Sequence, residues 1–224
     1  MANEVNIDEV YGNPNNLVDL FEQSVAKYGN NRLFGTKNPA SGKYEWSTYR
    51  QVADRVNNLR GALKQLGLSK GDSVGVILHN CQEWFICEQA VHGLGGVFVP
   101  MYLQEMPKVI EYIVKDAAVK FLFVAHAGVY EKIKDFKNSI PGLQDIFVIF
   151  GEGENSLRAL EEKGRQNPAP SLKLTWSDLS SIIYTSGTTG DPKGVELTHG
   201  NMSMSAKSSI DTFTLDETMH VVAI

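Results

Sequence analysis

Residues 73–101 read SVGVILHNCQEWFICEQAVHGLGGVFVPM, and they set the pattern for most of the chain. Ser73–Leu78 is a short β-rich run, the length of a strand and not of a helix. Asn80, with Glu83 three residues on, resembles the box that caps a helix N-terminus. The helix it opens extends to about His92. Gly93, Gly95 and Gly96 close it, and a second apolar strand begins at Val97 and reaches Val99.

The same rhythm continues outward. The spacing predicts a helix from Pro107 to Asp116, a strand at Val119–Val124, a helix from Val129 to Asn138 and a strand at Asp145–Phe150. Continuous apolar strands alternating with helices indicate a parallel sheet covered on both faces. Upstream, Leu17 to Tyr28 has helical spacing with Gly29 as its stop, and a longer helix runs from about Thr48 to Leu66 before Gly67. Residues 151–175 are polar, contain Pro168 and Pro170, and read as an exposed connection with one short helix near Ser156–Gln166. The fold class is therefore α/β, a mostly parallel sheet flanked by helices, without a sequence repeat beyond the alternation itself.

At 224 residues the chain suits one large domain or two small ones. Area scaling gives about 10,000 Å² folded against roughly 36,000 Å² unfolded, enough burial for a sizeable core. Lys and Arg number 21 against 26 Asp and Glu, a net charge of −5. That excludes a nucleic-acid partner gripped by a broad basic face, though a few backbone amides and one Lys still suffice for a local phosphate. Cys81 and Cys87 are too few for a disulfide framework and carry no metal spacing, so two reduced thiols are expected. The polar N-terminus MANEVNIDEV is no signal or transit peptide. No apolar run nears the ~18 residues of a spanning helix. A cytoplasmic location is expected, with peripheral membrane contact and homodimerisation left open.

Residues 182–201, IIYTSGTTGDPKGVELTHGN, stand apart. Two β-like runs, Ile182–Tyr184 and Val195–Thr198, flank a phosphate loop over 184–194. Gly187, Gly190 and Gly194 let backbone N–H groups approach an anion without interference from a Cβ. The hydroxyls of Thr185, Ser186, Thr188 and Thr189 add donors that also suit a metal ion. Lys193 adds a point charge, worth ~4 kcal/mol at 4 Å in an effective dielectric near 20, before desolvation. This set of parts suits a polyphosphate. A flexible Gly/Ser/Thr linker fits poorly, because the loop is bounded tightly by strands and holds one Lys. A Walker loop fails on spacing: counted from Gly187 it needs Gly at 192 and Ser or Thr at 194, where the chain has Pro192 and Gly194.

The run YTSGTTGDPKGVELTHGN resembles the phosphate-binding signature of the adenylate-forming (AMP-binding) enzymes. LKQLGLSKGDSVGVILHN (63–80), GGVFVPMY (95–102) and IEYIVKDA (110–117) agree with it, and their order resembles the long-chain fatty-acyl-CoA ligases. The resemblance implies a two-step reaction. A fatty acid or other carboxylic acid attacks the α-phosphate of Mg-ATP, releasing pyrophosphate, and the thiol of coenzyme A then displaces AMP from the acyl-adenylate. It further implies that Thr185, Ser186, Thr188, Thr189 and Lys193 contact phosphate, that Gly187, Gly190 and Gly194 shape the loop, and that Thr185 helps hold Mg²⁺. Asp191 departs from an anion-binding loop and is expected to face solvent. No catalytic residue is assigned.

The family's adenine, ribose and catalytic-lysine motifs have no counterpart in this sequence, and the apolar run Val221–Ile224 has nothing after it. Residues 1–224 are therefore expected to be the N-terminal portion of an adenylation domain, inactive alone. An aryl, amino or short-chain acid, or a truncated non-catalytic nucleotide-binding protein, remain the alternatives. Among other residues, His199 in THGN is expected to order a strand-to-helix turn, with Asn201 as its cap. His79, His92, His126 and His220 lack spaced partners and are expected to pack or lie on the surface. Trp84 and Phe85 read as core. Glu131 to Lys137 reads as a solvated helix face.

Overall fold

A computed structural model of the chain describes residues 16–185 and 191–213. Helix α1 (Leu17–Tyr28) leads into an antiparallel pair, β1 (Arg32–Lys37) and β2 (Tyr44–Thr48), and then α2 (Tyr49–Gln65). The alternating part follows as β3 (Ser73–Ile77), α3 (Gln82–Gly93), β4 (Val97–Met101), α4 (Pro107–Asp116) and β5 (Val119–Val124). Helices α5 (Ala127–Ile133) and α6 (Phe136–Ser139) precede β6 (Asp145–Val148) and α7 (Leu157–Arg165). A hairpin of β7 (Leu179–Thr185) and β8 (Lys193–Thr198) then runs into α8 (His199–Phe213).

The main sheet has the order β6-β5-β3-β4-β7-β8. All neighbours are parallel except β7 and β8, which are antiparallel. The sheet separates two cores. On one face Val74, Val76, Phe98, Phe121 and Phe123 pack with residues of α1, α2, α3 and α7. On the other, Ile77, Val99, Leu122 and Val124 pack with Ile110, Ile113 and Val114 of α4 and Ile133 of α5. Because α4 crosses beneath the sheet, β5 lands on the far side of β3 from β4.

Local chemistry explains the boundaries, with four departures from the sequence reading. Helix α2 starts at Thr48 through a reciprocal capping box with Gln51, and Gly67, at φ +86°, takes the left-handed turn that stops it. Gly29 instead keeps right-handed geometry, at φ −47°, so it is no left-handed stop. The expected Asn80–Glu83 box does not form. Cys81 is the N-cap, without a side-chain cap bond, because the Glu83 carboxylate is taken by Arg55 at 2.9 Å. The single helix expected over 129–138 is two pieces, the second tethered where Lys137 pairs with Asp145 at the start of β6.

The fourth departure concerns 151–175, expected as an exposed connection. Its outer side is exposed, but Leu157 and Leu160 are each 2% exposed and α7 packs closely on α2. Two glycines permit that approach. A Cβ on Gly164 would lie 1.7 Å from the Asn58 carbonyl oxygen, and one on Gly61 would lie 2.4 Å from that of Asn167. Gly164→Ala should gain about 1 kcal/mol in helix propensity, yet the obstacle is backbone, so the helices must part. Overpacking of this kind costs about 1–3 kcal/mol or more. The expected outcome is a net loss near 2 kcal/mol in urea unfolding; a variant as stable as the parent would contradict this packing.

Candidate functional site

The site is built on the β7–β8 hairpin. Strand β7 runs parallel to β4, so Thr185 emerges at the carboxyl edge of the parallel strands, where open α/β sheets bind ligands. The hairpin register pairs Thr185 with Lys193, Tyr184 with Gly194 and Ile183 with Val195. Directly opposed residues share a face, and successive residues alternate. Thr185 and Lys193 therefore lie on one face of the hairpin, and Tyr184 and Gly194 on the other. A hydroxyl and an ammonium thus stand together at the two ends of the loop. Ser186, Gly187, Thr188, Thr189 and Gly190 lie outside the described residues, as does the run Val221–Ile224.

Asp191 is exposed, as the sequence reading expects. Its charge acts on Tyr112 of α4, whose hydroxyl is raised first by desolvation and then by the charges of Asp116 and Asp191. Among the described residues no cluster of three or more His, Cys, Asp or Glu side chains is placed to hold a metal ion. The donor set fits a Mg²⁺ that arrives on its phosphates, with the Thr185 hydroxyl as a protein oxygen.

The hairpin is supported from three directions. The Tyr184 hydroxyl donates to Asp116 Oδ2 of α4 at 2.5 Å. Burial, then the hydrogen bond and charge of Asp116, push the Tyr184 phenol up. Ser180 Oγ donates to the Leu197 carbonyl at 2.9 Å, binding the strands near their base. His92 Nε2 of α3 donates to the Ser180 carbonyl, also at 2.9 Å. At the exit of β8, Thr198 is the cap of α8. Asn201 N–H donates to Thr198 Oγ1 at 3.2 Å, while Asn201 Oδ1 accepts from the Thr198 N–H at 2.9 Å. Asn201 is thus the reciprocal member of the box, not the cap.

His199 does more than order the turn. It is fully buried, its Nδ1 accepts from the Leu17 N–H at 3.4 Å, and its ring centroid lies 4.9 Å from that of His92. The bond from Leu17 leaves Nε2 as the protonated nitrogen of His199, whereas His92 keeps a lone pair on Nδ1. Neither of these two buried nitrogens has a hydrogen-bond partner among the described residues, and α1, α8, α3 and β7 meet through the two rings. His79 and His126 are exposed, and His220 lies outside the described residues. Trp84 and Phe85 pack on the core, edge-on to Phe98 and Phe21.

These buried groups set an acid response. Burial, with His199 nearby, lowers His92 from 6.5 to about 3. Burial lowers His199 to about 4, against the opposing pull of Asp178 and Asp19. Glu88, buried in α3, moves from 4.5 up to about 7 by desolvation. Below pH 6.5 the unfolded chain protonates both histidines and the folded chain neither, so each destabilises the fold as pH falls toward about 4. Glu88 takes its proton in the folded chain from about pH 7 but in the unfolded chain only from 4.5, which offsets one of those two protons. For these three groups the net is about one proton between about pH 6 and 4.5, or roughly 1.4 kcal/mol of lost stability per pH unit. Urea unfolding between about pH 6 and 4.5 should show this fall. Glu88→Gln should steepen it toward two protons, and an unchanged slope in that variant would contradict the assignment.

The family described as AMP-binding enzyme matches residues 21–223 of the chain. Long chain acyl-CoA synthetase 5 of Arabidopsis thaliana is 34% identical over 200 residues, covering 81% of this chain and 30% of its own length. Long-chain-fatty-acid–CoA ligase 1 of Cavia porcellus is 32% identical over 212 residues, covering 86% of this chain and 30% of its own. The chain thus spans about 30% of the length of these curated relatives. The crystal structure of the anthranilate CoA ligase AuaEII with anthranoyl-AMP superposes with a TM-score of 0.74 at 29% identity, over 86% of this chain and 36% of that one. A long-chain-fatty-acid-CoA ligase of Archaeoglobus fulgidus shares the fold, with a TM-score of 0.76 at 24% identity over 91% of this chain and 40% of that one. With the family matched from within α1 almost to the last residue, the chain belongs to the AMP-binding enzymes.

Proposed function

We propose that this chain supplies the ATP-phosphate-binding part of a ligase that joins a long-chain fatty acid to coenzyme A through an acyl-adenylate. The observation that carries the reading is the pairing of Thr185 with Lys193 on one face, at the two ends of the Gly/Ser/Thr loop. An ionised carboxylate is a poor electrophile. Its oxygen attacks the α-phosphate of Mg-ATP, the bond to the β-phosphate breaks, and pyrophosphate leaves. The thiol sulfur of coenzyme A then attacks the acyl carbon of the mixed anhydride, losing its proton, and AMP departs. In the first step Lys193 and the loop donors hold the phosphates that leave, a task of positioning and charge stabilisation. Mg²⁺ enters as part of the substrate, with Thr185 as its protein oxygen.

The long-chain acid rests on likeness to relatives named for that substrate. An aryl acid is the second reading, favoured by likeness to an anthranilate CoA ligase.

The two half-reactions separate the role of Lys193 from a structural one, because only the first has a polyphosphate for the ammonium to meet. In a protein carrying the relatives' full length, Lys193→Ala should lower kcat/KM for ATP in adenylate formation by roughly ten- to hundredfold, the worth of a charge-assisted contact. Thioester formation from preformed acyl-adenylate should change little. Untouched ATP kinetics, or equal loss in both halves, would overturn the assignment.

A further inference from the structure

We propose that Asp116 and Tyr184 form a positioning clamp, in which their hydrogen bond fixes the base of the phosphate loop and so the spacing of Thr185 and Lys193. The inference rests on the reading of 184–194 as a polyphosphate loop. Tyr184 directly precedes Thr185, and its cross-strand partner Gly194 directly follows Lys193. The clamped rung of the hairpin is therefore the neighbour of the rung that meets the ligand.

Three features show that the arrangement is built. The first is the glycine. A Cβ at Gly194 would lie 2.8 Å from Ile182 Cγ2, 3.1 Å from Tyr184 Cζ and 3.3 Å from its hydroxyl oxygen. The Ile182 side chain and the Tyr184 ring fill the space a side chain would need, so a substituent at 194 would have to displace one or both. The second is the acid. Asp116 is the last residue of α4, at the negative end of the helix, where a carboxylate is electrostatically disfavoured. It is placed there against local preference and accepts the Tyr184 proton donor at 2.5 Å. The third is the edge. Among the described residues β8 pairs only with β7, so the clamp ties the hairpin to a helix of the layer beneath, 68 residues earlier in sequence. Tyr184 reaches Asp116 from the face opposite Thr185 and Lys193. It therefore acts through the rung and does not touch the phosphates.

The test uses the 224-residue chain and four variants. Tyr184→Phe keeps the ring over Gly194 and removes only the hydroxyl. Asp116→Ala removes the acceptor, Asp116→Asn restores an acceptor oxygen, and the fourth variant combines Tyr184→Phe with Asp116→Ala. Amide hydrogen exchange reads the Thr185–Lys193 rung, calorimetric titration reads inorganic pyrophosphate and Mg-ATP, and urea unfolding reads global stability. Tyr184→Phe and Asp116→Ala should each speed exchange at that rung about three- to tenfold and weaken phosphate binding by a similar factor, as for one exposed charge-assisted bond. The double variant should be no worse than either single one, Asp116→Asn should stay within about twofold of the parent, and the urea midpoint should hardly move.

Unchanged exchange, additive losses, or faster exchange with undiminished phosphate affinity would each overturn the clamp. A parent chain that shows the exchange coupling but binds neither pyrophosphate nor Mg-ATP would leave the clamp standing and remove the phosphate reading.

Discussion

The parallel pairing of β4 with β7 is the constraint on which the site depends. It is centred on Phe98 and Ser181, and it decides which edge of the sheet the loop leaves from. Were β7 antiparallel, Thr185 would emerge among the amino ends of the strands. The contacts that hold β7 are buried and polar. Ser180 and Ser181 are at most 1% exposed, and His92 and Leu197 take up the carbonyl and the hydroxyl of Ser180. A buried polar group without a partner costs about 1–3 kcal/mol, so this strand is held in register by satisfaction as well as by packing. The loop-bearing end beyond it is exposed.

A second set of buried charges fixes the helices over that strand. Arg55 of α2 reaches Glu83 of α3 at 2.9 Å and Glu161 of α7 at 3.0 Å, so one half-buried guanidinium joins three helices. Its hydrogen bonds and charge pairing outweigh desolvation and raise it. Arg60 is 1% exposed and lies against Gly93, where a Cβ would sit 2.2 Å from its Nε. Its partners are Glu22 at 3.4 Å and the Ala169 carbonyl at 3.5 Å, and burial lowers it. Gly93 is the last residue of α3, as the sequence suggests, and it also makes room for this cation. Replacing Glu22 would leave the Arg60 charge buried and uncompensated, which is the costly change.

Most of the strand–helix frame was legible because its signal is local. The runs at 73–78, 119–124 and 145–150 are apolar and short, and Pro107 and Gly67 mark helix ends by backbone chemistry. The readings that failed share a cause: a distant partner took the group. Glu83 turned to Arg55, and the helix starts from Cys81. The polar stretch after 151 hid Leu157 and Leu160, whose burial depends on α2 coming within glycine contact. The β1–β2 pair went unread, although Tyr44 and Trp46 alternate with polar neighbours as an edge strand does. At the hairpin, the two strands that bound the loop were legible from the sequence alone. Asp116 was not, since nothing in IEYIVKDA announces a tyrosine 68 residues later.

The claim at the centre of this account is that Lys193 meets the polyphosphate of ATP at the mouth of the β7–β8 hairpin. Affinity labelling with a lysine-reactive adenosine polyphosphate aldehyde, reduced in place and mapped by mass spectrometry, asks this directly. The account expects modification concentrated on Lys193, lost when Mg-ATP or pyrophosphate is present in excess. Label spread over the surface lysines, or label at Lys193 that neither competitor suppresses, would contradict it.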